Sequence, residues 1–345
     1  MRFLKWVGIV FLVLAVGIWF AASYALKKGA ESVFAGLVQD GLVAETTDLS
    51  VGGFPTRLDL AMTGLNLTNP KTGEGWQAPS LHISAPSWAP WHVTADLPAT
   101  QVLTVEANNA MQAITVTSDG LAASVRVRPD ITANLQEITA GGAALQAASS
   151  LGWTVGAEDL RLRLLVDGQN SKIYALTLEA RNIAPDASLA TALAAVNLPD
   201  LPVSDLPAQV DSVALVMQLH LTQPLDLTSA LRPELAGVDL QALTAVWGPL
   251  QIAASGSLRG DANGFAAGQI DIAVTNWNRL PALLAATGAV QPAVVTLVSN
   301  GMKALADAGG DPMVLTVPLI MQEGRTTFGP FPLGEAPRMA RGAGG

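Results

Sequence analysis

From Leu42 onward the chain's strongest regularity is a period of two. Leu121, Ala123, Val125 and Val127 share one phase, and Ala122, Ser124, Arg126 and Arg128 share the other. Leu160, Leu162, Leu164 and Val166 alternate with Asp159, Arg161 and Arg163. Val213, Leu215, Met217, Leu219 and Leu221 form a third such set, and Leu315, Val317, Leu319 and Met321 a fourth. Successive side chains of a strand point to opposite faces, so these segments read as strands with one covered face and one wet face, the antiparallel habit. Turn dipeptides separate them: Asn108-Asn109, Asp119-Gly120, Asp167-Gly168, Asn263-Gly264 and Glu323-Gly324. Tyr174–Leu178 and Ala214–Met217 are apolar in both phases.

Helical signals are fewer and fall mostly in the second half. Ala187–Val196 is Ala/Leu-rich and ends before a proline cluster. Leu280–Thr287 and Val294–Ala308 read likewise, with Gly288 and Gly309-Gly310 as stops. The three prolines within 197–209 fit a linker or a crossing loop. The stretches 159–196 and 249–288 each read strand, turn, strand, then an asparagine (Asn182 or Asn276) expected to cap a helix, with Pro185 or Pro281 in its first turn. The similarity is one of pattern rather than identity, and duplication and chance explain it equally well. The expected fold is α+β and β-dominant: a long, twisted antiparallel meander with a few helices, mainly in the C-terminal half.

A different pattern opens the chain. Trp6 to Leu26 is 21 residues without a charge, bracketed by Arg2 and Lys5 before and Lys27-Lys28 after. At about 1.5 Å per residue this run spans roughly 30 Å, the thickness of a bilayer core. Trp6, Trp19 and Tyr24 suit the interfacial belts. A cleavable signal peptide is the competing reading, since Ala21-Ala22-Ser23 and Ser23-Tyr24-Ala25 are small-x-small sites. The run exceeds the usual signal core of about 7–15 residues, which favours an uncleaved transmembrane helix. Val33, Phe34, Leu37 and Val38 then line one face of a short helix that Gly41 can end. The expected organisation is an anchor at 1–28, a neck helix at 29–41 and a β-rich body at 42–336, in two weakly repeated halves. A disordered tail is expected at 337–345.

Charge narrows the partners. The chain holds 28 acidic and 19 basic residues, for a net −9; only Arg2, Lys5, Lys27 and Lys28 precede Gly29, so the body carries 15 basic residues and a net −13. A nucleic-acid binder needs clustered Lys and Arg, so nucleic acid is not an expected partner. With an acidic body and basic flanks on the anchor, the expected placement is the inner membrane, single-pass, with the body in the periplasm. Zero cysteines exclude a disulfide framework and cysteine-ligated zinc.

Chemistry-bearing motifs are scarce. His82, His92 and His220 each sit on the polar phase of a strand without an HxH or HExxH spacing, and read as surface residues. His82 and His92 could meet across a hairpin, with Pro86 and Pro90 leaving the register open. No nucleophile elbow, P-loop or dinucleotide fingerprint is present. Arg126/Arg128 and Arg161/Arg163 are i, i+2 pairs, each sharing a strand face. A solvated sheet face is the ordinary explanation and an anionic headgroup contact the sharper one. In Gly53-Phe54-Pro55-Thr56-Arg57-Leu58 the expectation is a structural corner with Phe54 in the core, and a binding role for Arg57 is the alternative. Neither a metal nor a cofactor is expected.

That GFPTR block, the segment from Trp76 to Pro98, and the third block from Trp247-Gly248-Pro249-Leu250 to the closing PLIMQEGRTTFGPFPLG resemble the bacterial domain of unknown function 2125 family. The resemblance covers nearly all of the chain after the anchor. It implies an exported, membrane-anchored, β-rich body, and the family brings no catalytic residues. The closing strand–Gly–strand–GP pattern is also similar to the ends of AsmA-like envelope proteins, which implies a lipid-related role. The expected function is a non-enzymatic, membrane-anchored envelope protein that binds or shuttles a lipid or acyl chain, with Arg126, Arg128 and Arg57 as candidate ligand contacts. The alternatives are a structural or protein-interaction module without ligand and, last, a hydrolase with a non-sequential site.

Overall fold

The structure, a computed structural model, describes residues 2–342 apart from 108–109, 131–132, 196–205, 227–232, 287–294 and 330; at 2–18, 190, 193–195 and 331 it describes the backbone alone. Contacts gather into two compact units, residues 1–129 with 140–152, and residues 130–139 with 153–345.

The first unit begins with α1 (Arg2–Gln39), which runs unbroken through the charge-free run and the following amphipathic stretch. It ends on Gly41 at φ +87°, where Gly41 N donates to the Val38 carbonyl and Leu42 N to the Leu37 carbonyl. That is a Schellman end, and the left-handed residue it requires is the expected glycine. Strands β1 (Val43–Glu45), β2 (Asp48–Gly52), β3 (Arg57–Thr68), β4 (Gly75–Pro86), β5 (His92–Asp96), β6 (Thr100–Ala107), β7 (Ala110–Asp119) and β8 (Ala122–Val127) follow, with residues 140–149 of β9 (Leu135–Ser149). Leu58, Leu60 and Met62 on β3 are buried in alternation and share the core with Trp19 of α1. This unit branches. One edge of β4 pairs with β6 at Gly75–Gln77 and with β5 at His82–Ser84, so β4 changes partner midway. β5 continues to β8, and β6 to β7 and then β9. Pro79, which has no N–H to give a ladder, lies at the change of partner.

The second unit is a meander. Strands β10 (Thr154–Val166), β11 (Ile173–Ala184), β12 (Val210–Leu221), β13 (Leu235–Trp247), β14 (Leu250–Gly260), β15 (Ala266–Thr275), β16 (Val314–Gln322), β17 (Arg325–Phe328) and β18 (Phe331–Glu335) each pair antiparallel with the next. The β16–β17 turn is Glu323-Gly324 with φ +52° and +73°, the two left-handed residues of a type I′ hairpin. Helices α2 (Ala187–Ala195), α3 (Leu280–Ala286) and α4 (Val295–Ala308) fall within a residue or so of their expected bounds, and a short 3-10 turn (Trp277–Arg279) leads into α3.

Several expectations change. The β-dominant antiparallel fold stands, but the simple meander holds only in the second unit, because in the first β1–β3, β4–β6, β5–β8 and β7–β9 pair out of sequence order. Neither Asn182 nor Asn276 makes a side-chain capping hydrogen bond, although Asn276 does stand at the N-cap of the 3-10 turn before α3: both adopt left-handed backbone, at φ +45° and +56°, and their amides donate to Glu158 Oε2 and to the Pro249 carbonyl. Asp186 caps α2 instead, accepting from Ser188 N at 3.1 Å and from Thr154 N at 2.8 Å. Hydrogen bonds from the Ser188 side chain and the Thr154 amide, against a smaller burial effect, hold the Asp186 carboxyl below the usual carboxylate range. The expected disorder from 337 gives way to pairing through Gly342: Ala340 is buried, its N–H donates to the Leu235 carbonyl, and the Arg338 guanidinium stacks on Phe265 at 3.8 Å. On β8, Ser124 and Val125 are half-buried alike, because His92 reaches across to the Ser124 hydroxyl at 2.9 Å and covers the polar phase too. Among the described residues no helix is long and apolar enough to cross a membrane. The transmembrane expectation rests on side chains from Trp6 to Ile18 that lie outside them.

Candidate functional site

Residues directly opposite one another in an antiparallel sheet share a face, so the register of the second unit can be read as rows. One row holds Leu162, Leu178, Leu215, Leu243, Ala254, Ile272 and Val317. The next holds Leu164, Leu176, Met217, Leu240, Gly256, Ile270 and Leu319. A third holds Val166, Tyr174, Leu219, Val238, Leu258, Gly268 and Met321. Seven strands thus present one apolar face. The segments read as apolar in both phases resolve here, since Tyr174, Leu176 and Leu178 lie on this face and Ala175 and Thr177 on the other. Gly256 and Gly268, at φ +154° and +141°, let β14 and β15 come close: a Cβ on either would lie 2.2 Å from a carbonyl oxygen of the facing strand.

Cover differs along this face. Over β14–β16 it is closed, with Leu250, Val274, Leu315 and Val317 packed against Trp277 and against Met302 and Ala306 of α4. Leu258, Ala266 and Met321 are closed by Ala336, Phe265 and Met339. Over β10–β12, Leu162, Leu164, Leu176, Leu178, Leu215, Met217 and Leu219 are only half-buried, while Leu240 of β13 is buried. Tyr174 is the buried post among them, 1% exposed; its hydroxyl accepts from Leu225 N at 3.0 Å, and burial pushes its pKa up against that bond.

The opposite face is polar. Arg161 lies opposite Glu179, and Arg163 Nε meets Glu137 Oε1 at 2.8 Å. His220 of β12, Asp239 of β13 and Arg259 of β14 form a triad, with His220 Nε2 and Arg259 Nη2 each 2.7 Å from an Asp239 oxygen. Partial burial alone would raise the Asp239 pKa, but hydrogen bonds from Arg259 and His220 outweigh it and hold the carboxyl below its ordinary value. The triad ties three strands together. His220 is therefore half-buried and partnered rather than a plain surface histidine. His82 faces Asp96 at 3.4 Å, and His92 lies opposite Arg126, so the two do not meet.

The first unit has two features of its own. At the fork of β4 lies a cavity of about 480 Å³, with Leu65, Ala78, Pro79 and Val102 as its apolar lining and Gln77 and Gln101 among its polar residues. Gln101 is buried and accepts from Trp76 Nε1 at 2.7 Å. The second feature is one end of the β3–β4–β5–β8 sheet. Arg57 pairs with Pro86, residues 87–91 return the chain, and His92 pairs with Arg126. The three arginines singled out in the sequence thus share that end, and Arg57 Nε is paired with Asp59 Oδ1 at 3.1 Å. Phe54 is not tucked into the core. It is 49% exposed and packs edge-on against Trp19, with centroids 5.1 Å apart, while Trp19 Nε1 donates to the Arg57 carbonyl. Trp88 and Trp91 are exposed on the neighbouring loop. Nothing in the spacing of Phe54, Trp88 and Trp91 announced that they would stay outside.

The family model described as an uncharacterized protein conserved in bacteria (DUF2125) matches residues 19–337. No curated protein and no solved structure matches the chain, and the looser likeness to AsmA-like proteins finds no support there.

Proposed function

The chain belongs to this DUF2125 family of bacterial proteins, and from that premise we propose that it is a non-enzymatic envelope protein, anchored by α1 in the inner membrane, that binds or shuttles a lipid-like apolar ligand. Its body stands in the periplasm. One observation carries the reading: the three apolar rows continue past the part of the face that α4 closes, and over β10–β12 their leucine and methionine side chains, unlike the buried Tyr174, stay only half-buried. A face so apolar without full cover suits an acyl chain. Ten buried methylenes supply about 8 kcal/mol gross at about 0.8 per CH₂, before association costs, which is compatible with micromolar binding.

The test uses the natively extracted full chain and a fluorescent acyl probe. Saturable one-to-one binding, displaced by phospholipid, is expected, and the double variant Leu176→Gln, Met217→Gln weakens it. Ala78→Trp, which fills the cavity at the β4 fork, leaves it unchanged. Absence of saturable binding by folded protein would overturn the proposal in favour of a structural module.

A further inference from the structure

We infer that the Phe54 and Trp88–Trp91 loops form a second membrane contact, dipping below the level of Lys27-Lys28 into the bilayer that α1 enters. The inference rests on the anchor reading above.

A span needs about 20 apolar residues at about 1.5 Å each. The charge-free run is Trp6–Leu26, and its first 13 residues, up to Ile18, measure only about 20 Å. Trp19 to Leu26 must therefore belong to the span if α1 crosses the membrane. Trp19 is where α1 is docked: its ring meets Phe54 and its indole N–H holds the Arg57 carbonyl at 2.7 Å. Phe20, 61% exposed, stacks on Phe54 at 6.2 Å between centroids. The helix contact thus fixes Phe54 at the depth of Trp19, on the membrane side of Lys27-Lys28. The Trp88 loop follows, because Ser87 N donates to the Thr56 carbonyl and Ser87 Oγ to the Pro55 carbonyl, both at 3.0 Å.

The chemistry fits that occupant. Phe20, Phe54 and Trp88 are large, exposed and contiguous along these bonds, an arrangement that a water-facing surface has no reason to keep. Trp and Tyr with flanking Arg or Lys are the residues of interfacial belts, and Arg57 and Arg126 lie at this end of the sheet. The other end of the same β3–β4 hairpin is the turn Asn69–Glu74, with Lys71, Thr72, Gly73 and no aromatic residue.

The chain has no cysteine, so a single introduced one takes a nitroxide label cleanly. Thr56→Cys probes the aromatic end and Thr72→Cys the opposite turn, which the 12-residue β3 separates by roughly 36 Å. The labelled full-length chain is reconstituted into vesicles of phosphatidylethanolamine and phosphatidylglycerol, and flotation and spin-label accessibility are both read. The expected result is flotation of both variants, with oxygen collisions dominating at position 56 and water-soluble nickel-chelate collisions at position 72. A floating chain whose label at 56 is as chelate-accessible as that at 72 overturns the membrane contact and leaves the anchor standing. A folded chain that does not float overturns the anchor, and the contact with it.

Discussion

The two halves of the apolar face in the second unit are built from the same pattern and end differently. Over β14–β16, Leu315, Val317 and Val274 sit under α4, no more than 4% exposed; in the rows that continue over β10–β12, Leu176, Leu215 and Met217 stay half-buried. Strand periodicity sets which side chains share a face, and register sets which rows they join. What covers a row is decided by a separate piece of chain. A leucine's place in the alternation therefore says nothing about its contribution to stability, which follows from the packing it finds.

The sharpest way to break this contrast is to place a charge in each half. Val317→Asp buries a carboxylate with no partner in a filled core, and a loss of several kcal/mol, enough to unfold the unit, is expected in chemical denaturation. Met217→Asp, on the same face, keeps access to water and should leave the protein folded with a much smaller loss. Equal losses would mean that the open half is core as well.

Truncation is the next test. Leu315→Ala should cost about 2–5 kcal/mol, the range for a buried leucine, and Leu176→Ala less than half the value found at 315. Denaturant midpoints at unchanged slope read both.

A smaller effect belongs to the polar side of the same sheet. The folded-state pKa of Asp239 lies below its unfolded value, so the stability it contributes is present above the ordinary carboxylate range and is lost as pH falls through and below it. Asp239→Asn should lower stability at neutral pH and flatten its decline as pH falls through and below the ordinary carboxylate range. An unchanged acid limb in the variant would remove the triad from the account.

The smallest change is expected at Leu297, a leucine of α4 that is 72% exposed. Leu297→Ser should stay within about 0.5 kcal/mol, although it alters the helix that closes the covered half. A larger loss would point to an unrecognised contact on the outer side of α4.

Much of this architecture is legible in the sequence because its signals are local. Ala/Leu composition, bounded by a proline cluster after α2 and by Gly stops after α3 and α4, located the three helices, and Glu323-Gly324 marked a hairpin. The fork of β4 was not legible, since β5 and β6 compete for one edge through pairings that no local pattern encodes. Asn182 and Asn276 misled because the property that suits asparagine to caps also suits it to left-handed backbone, and Asp186, the actual cap, stood four residues beyond Asn182. Phe54 read as core because large aromatics usually are; its partners Trp19 and Phe20 are more than thirty residues away. The three arginines were visible, but only the register brings them to one end of the sheet.

The unbroken course of α1 has a mechanical consequence. A unit hung from a flexible tether swivels freely above its attachment, whereas Trp19 of this helix is already buried and holds the Arg57 carbonyl of the sheet it serves. The rod therefore has no compliant joint between Trp19 and the Schellman end at Gly41. From Trp19 to Gln39 it is about 30 Å long, so a tilt of about 20° carries its far end about 10 Å sideways. In the anchored arrangement proposed above, bilayer thickness, by setting that tilt, would be a lever on the angle at which the first unit stands.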